Sequence, residues 1–232
     1  MFDAKKLLDQ FLGSKVPGLS GTLQGKAGQV TDLARNNPMK AGALAAALLG
    51  TKTGRKLAGN VAAVGGVAAI AGLGYLAYRN YQSGKTPEGV APDAPVIEPP
   101  ADSPFSVHSP SLSNDFALTL LRAMIAAAKA DGHIDATERQ RIMDKVHAVD
   151  LEAEAEAFIA QELADPIDLD ALVAAGRTEE QRVEIYTASR LAIDPDTRVE
   201  RGYLDLLAGR LKLPDPLVDH IEATVSSAKV SL

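Results

Sequence analysis

The sequence holds no cysteine and no tryptophan among its 232 residues. Without cysteine, disulfides, zinc–thiolate centres and thiol nucleophiles are excluded outright. Aromatic residues make up only 4% of the chain, so stacking platforms for nucleic-acid bases are poorly supplied and no nucleic-acid partner is expected. No Gly-rich phosphate loop follows a strand-like segment, and no nucleophile elbow is present. Of the four histidines, His108, His147 and His220 show no ligand spacing, and His133 is a lone loop histidine of the kind that is usually neither ligand nor switch. These absences argue against an enzyme.

What is present divides unevenly. Residues 1–56 carry a net charge of +6, residues 57–110 a net −2 and residues 111–232 a net −10. The overall −6 is therefore a cancellation between a basic head and an acidic tail. Fifteen of the nineteen glycines lie before residue 90, a composition shift of the kind that a domain boundary produces.

From Leu57 to Tyr78 there is no charged side chain. As a helix this stretch reaches about 33 Å, enough to cross a hydrocarbon core of roughly 30 Å. Arg55 and Lys56 close its front, while Tyr75, Tyr78, Arg79 and Tyr81 mark its rear, as two water–lipid interfaces favour. The expectation is a single transmembrane helix over 57–78, preceded by a basic Gly-rich segment over 1–56. Local Lys/Arg counts place the N-terminus in the cytoplasm and the C-terminal domain outside. Ala58/Ala62/Gly66 and Ala68/Gly72 repeat small residues every fourth position, which predicts self-association of the span. Phe2, Leu7/Leu8 and Phe11/Leu12, with lysines beside them, suggest a short helix drawn to anionic lipid.

Seven prolines fall between Pro87 and Pro110, so residues 79–112 are expected to be an extended tether. Over 113–229 the period becomes helical. Stripes run through Phe116, Leu120, Met124 and Ala127/Ala128; Ile142 and Val146; Ala155, Phe158, Ile159 and Leu163. Others run through Ile185, Ala188 and Ala192; Leu204, Leu207, Ala208 and Leu211; and Leu217, Ile221 and Val225. Asp135-Ala-Thr-Glu138 and Thr178-Glu-Glu-Gln181 have the form of capping boxes. Asp194-Pro195 and Leu213-Pro214 place proline at first helical positions. The fold class is all-α, with a compact C-terminal bundle of six or seven short helices.

Gly54-Arg55-Lys56-Leu57-Ala58 followed by the Gly/Ala run to Tyr81-Gln82 resembles the YebE-like inner-membrane family of unknown function. The words Met124–Asp135 with Glu138-Arg139, and Ala192–Thr197 with Glu200, are similar to the tellurite-resistance TerB domain. The resemblance implies a helical bundle with acidic loops and a bacterial inner-membrane address; it supplies no enzymatic activity, since none is established for the family.

Two acidic clusters invite a ligand. Asp131, Asp135 and Glu138 crowd one turn, and Asp194, Asp196 and Glu200 crowd another. Converging carboxylates could hold a divalent ion of the calcium or magnesium type, and the TerB resemblance adds to that idea. The competing reading is helix capping, with Asp194 as an N-cap before Pro195. Neither cluster matches the twelve-residue EF-hand loop. The function expected is presentation of an acidic helical domain to other envelope proteins, with divalent-metal sensing as the alternative.

Overall fold

A computed structural model describes residues 2–12, 66–87, 98–130, 140, 142–144, 147 and 151–230. All regular structure among these residues is helical. Eight helices are delimited: α1 (Ala4–Leu12), α2 (Gly66–Gln82), α3 (Asn114–Ala128), α4 (Ala153–Ala164), α5 (Leu169–Ala175), α6 (Glu179–Ala192), α7 (Arg198–Arg210) and α8 (Asp215–Val230).

The helix ends follow local chemistry. Ser113 starts α3 by accepting the Phe116 N–H at 3.1 Å, and Asp168 starts α5 by accepting that of Ala171 at 2.9 Å. The capping box read at Thr178–Gln181 is formed at the start of α6. At α7 the expected cap moves: Thr197, not Asp194, accepts the Glu200 N–H, and the Glu200 carboxylate returns a bond to the Thr197 N–H at 2.9 Å. That reciprocal arrangement satisfies two orphan donors. The Pro214 carbonyl accepts the first N–H groups of α8, so Pro214 precedes that helix instead of opening it. Gly84, at φ +63°, ends α2; Lys85 N–H reaches the Asn80 carbonyl and Gly84 N–H that of Tyr81. Only glycine takes that left-handed conformation without strain.

α6 is the axis of the bundle. Its residues from Val183 to Ala192 are buried without a break, because α2, α3 and α8 surround it and α5 and α7 close its ends. The apolar stripes predicted over 113–229 are buried wherever they fall on described side chains, apart from the half-buried Phe158 and Ala128.

Three expectations meet a different arrangement. Residues 66–78 of the expected span form the first part of α2, packed against α8, α6 and α1. Val67, Ile70, Leu73 and Ala77 sit in the same core cluster as Leu120 and Leu217. An uncharged Ala/Gly surface suits a crowded protein interior as well as it suits lipid, and Gly74 shows why: a Cβ there would lie 3.3 Å from Val183 Cγ1. No helix among the described residues is long and apolar enough to cross a membrane. Residues 57–65, including Ala58 and Ala62 of the self-association motif, lie outside the described residues, and its Gly66 and Gly72 are buried within the chain.

The second difference is α1. Its Leu7 and Leu8 are covered by α2 and α3 instead of facing outward. Asn114 accepts the Ala4 N–H at 2.7 Å and donates to the Phe2 carbonyl, while Asp9 accepts the Val67 N–H at the start of α2. The third is the tether. Residues 98–112 fold as successive turns, with Ser103, Ser106, Ser109 and Leu112 each bonded to the carbonyl three residues back. These turns deliver Phe105 between Tyr75 and Tyr78, at ring separations of 6.0 and 5.6 Å. Residues 88–97 lie outside the described residues.

The docking of α1 is testable. Leu8→Ala should cost about 2–5 kcal/mol in urea unfolding of the full chain, as for a core leucine. A change within about 0.5 kcal/mol, typical of surface sites, would place α1 off the bundle.

Candidate functional site

The turn between α6 and α7 carries the second acidic cluster, and its groups are already engaged. Asp194 lies 3.6 Å from the Arg190 guanidinium. The Glu200 carboxylate accepts from both the backbone N–H and the hydroxyl of Thr197 at 2.9 Å. The carbonyls of Pro195 and Asp196, which a hard cation could also use, accept from Arg201 at 3.0 and 2.8 Å. Asp196 is exposed. The three acids therefore do not converge, and cationic side chains hold the oxygens of the turn. Among the described residues no three His, Asp or Glu side chains are placed to hold a metal ion. Asp131, Asp135 and Glu138 lie outside the described residues.

Behind this turn lies a polar node that periodicity did not disclose. Arg190 is buried, with its side chain 6% exposed, yet every nitrogen has an acceptor. Nε donates to Glu222 at 2.5 Å, one terminal nitrogen to the Ile193 carbonyl at 2.9 Å and the other to Ser226 at 2.9 Å. The Tyr186 hydroxyl donates to the same Glu222 carboxylate at 2.8 Å, and its pKa is raised, first by burial and then by that carboxylate. Glu222 and Ser226 stand one turn apart on α8, so the node fixes α8 against α6.

Glu184 differs. It is 3% exposed on α6. Burial, reinforced by the charge of Glu180, pushes its carboxyl up to about 8. A carboxyl raised to about 8 is held mostly protonated at neutral pH inside the core.

An open concavity lies on another side of the bundle, between α3, α4 and α5, with a volume of about 390 Å³. Arg122, Lys129, Glu162, Asp165, Ile167 and Leu172 line it. Lys129, the cap residue just past α3, bonds the Glu162 carbonyl at 2.9 Å and the Asp165 carbonyl. It thereby caps the end of α4, where a cation is favoured. Arg122 pairs with Glu162 at 2.7 Å and lies over the Phe158 ring. Ile167, at 36% exposure, stands on the short connection into α5. No nucleophile with an adjacent base is among the lining residues. The groove offers an apolar floor with a charged rim, the general form of a ligand-binding concavity. An exposed isoleucine between Pro166 and Asp168, both turn formers, was the available sequence signal.

A model of a family described as a protein of unknown function, DUF533, matches residues 35–225. The match takes in both the uncharged run and the bundle. An uncharacterised protein from the ampR 5′ region of Yersinia enterocolitica is 33% identical over 113 residues, 49% of this chain and 81% of that protein. No solved structure matches.

The buried acid sets a pH dependence. Below about 4.5 the Glu184 carboxyl is protonated in both folded and unfolded chains. Between about 4.5 and 8 the unfolded chain loses that proton while the folded chain keeps it, so stability falls as pH rises through this window. The slope from this one group is at most about 1.4 kcal/mol per pH unit. Glu184→Gln should flatten the fall of Tm with pH and raise Tm above neutrality. Parallel wild-type and variant curves would show that the carboxyl is solvated.

Proposed function

Because this chain belongs to the DUF533 family, whose function is unknown, we propose a role drawn from its own geometry: a non-catalytic helical module that binds a polypeptide through the α3–α4–α5 groove. The observation that carries this reading is the groove itself, which combines an exposed Ile167 with Arg122, Lys129, Glu162 and Asp165 around an apolar floor. Its volume falls in the range of pre-formed ligand sites, and mixed charge at a rim serves orientation and selectivity. A segment presenting one apolar anchor flanked by charged residues of both signs fits this lining. The absence of a nucleophile–base pair among its lining residues favours binding over turnover. We carry the narrower likeness of the 124–135 motif to TerB-type domains, and an address among envelope proteins, as parts of the same proposal.

A photo-crosslinking amino acid at position 167 of the full chain, expressed in its native host, tests this. A discrete adduct is expected from position 167 and not from position 219, which lies on α8 away from the groove. Arg122→Glu should remove the adduct while leaving Tm within a few degrees, because Arg122 is an exposed side chain. The same background at both positions would overturn the proposal.

A further inference from the structure

Helix α7 closes on a lysine where a glycine is expected. The Lys212 N–H bonds the Gly209 carbonyl and the Leu213 N–H bonds that of Ala208, both at 3.1 Å, a close of the Schellman type. The residue at this corner turns left-handed, a conformation that glycine adopts without strain. Here it is Lys212, at φ +56°, the one residue other than glycine with positive φ among the described residues. A side chain kept at such a backbone cost points to a use for that side chain. It lines a small concavity of about 200 Å³, together with Arg182 of α6, Arg210 of α7, Gly176, Val173 and Leu211. Three cations and no acid line this space, although residues 111–232 carry a net charge of −10.

The ordinary use of cations at this place would be to cap the carbonyls that end α5 and α7. Backbone N–H groups already bond those of Val173, Ala175, Leu207, Ala208 and Gly209. Arg182 Nε takes the Gly176 carbonyl at 3.1 Å. Gly176 permits that approach, since a Cβ there would lie 2.8 Å from Arg182 Cγ. The Arg182 stem is thereby fixed with its two terminal nitrogens still to spend, and the Lys212 ammonium makes no ion pair among the described residues. Arg210 is paired with Asp170, whose side chain is 82% exposed. An ion pair so open to water is worth little, and a competing anion can displace it.

We propose that this concavity is a site for a small phosphomonoester, its phosphate held between Arg182, Arg210 and Lys212 and its organic stem against Val173 and Leu211. Two guanidinium forks and an ammonium suit a dianion with several oxygens better than a carboxylate with two. The volume falls below the roughly 300–1,000 Å³ of drug-sized sites, so the stem is short. The inference goes beyond groove binding, and none of these lining residues is shared with the α3–α4–α5 groove, so either can fail alone.

Titration of the full chain with phenyl phosphate at constant ionic strength, followed by phosphorus NMR and calorimetry, tests this. Phenyl phosphate should saturate the site, and benzoate, which pairs the same ring with a single charge, should bind at least threefold more weakly. Lys212→Gly relaxes the backbone and removes one cation, so Tm should hold or rise while affinity for phenyl phosphate falls at least threefold. Lys85→Gly, which removes an exposed charge outside the concavity, should leave that affinity unchanged. Asp170→Asn releases Arg210 and should tighten binding at least twofold. No saturation by phenyl phosphate, equal binding of benzoate, equal losses from the two lysine variants, or no tightening with Asp170→Asn would each overturn the proposal.

Discussion

The guanidinium of Arg190 sits inside the bundle with every nitrogen occupied, and the arrangement of the surrounding helices follows from that. A buried cation is tolerated only where acceptors surround it, since removal from water is otherwise costly. Here α8 supplies Glu222 and Ser226, and the end of α6 itself supplies the Ile193 carbonyl. Sliding α8 by one turn would strand the guanidinium, so the node sets a register that apolar packing alone would leave soft. Asp194, drawn toward the same guanidinium, ties the start of the acidic turn to the node and away from a metal-binding geometry.

With α6 and α8 in register, the slot between them is defined, and α2 occupies it. Its glycines and alanines suit that place because little room is left: Val183, Phe105 and Thr187 crowd the position of a Gly74 Cβ. α1 and the turns over 98–112 then close over α2 from outside. On the other side, α3 packs along α6 and presents Arg122 and Lys129 toward α4 and α5, where the open groove lies. A satisfied internal node and an exposed charged rim thus lie on different sides of α3 and α6.

Much of this was legible in the chain. The apolar stripes of α3, α7 and α8 lie in the core where their spacing put them, and Thr178–Gln181 caps α6 as its residues suggest. The misreadings have physical causes. In α6, the spacing of Ile185, Ala188 and Ala192 implied one inward face, whereas Glu184, Thr187, Ser189 and Arg190 are buried as well. A polar residue reads as solvent-facing until its partner is known, and Glu222 stands 32 residues away. In α2, an uncharged run carries no record of whether lipid or protein surrounds it. At α7 the sequence points to Asp194 as the cap, but Thr197 with Glu200 at the third helical position forms two reciprocal bonds where Asp194 before a proline offers one. Of the groove the chain offers only Ile167 between two turn formers, because three helices create the rest by meeting.

Hydrogen exchange on the native full-length chain tests the central claim most directly. If α6 is the axis, the amides of residues 183–192 exchange last of all, only through global unfolding, and more slowly than those of α7, whose Val199 and Leu206 face solvent. Amides of α6 that exchange as fast as those of α7 would mean that no such buried axis exists and that the Arg190 node does not organise the fold.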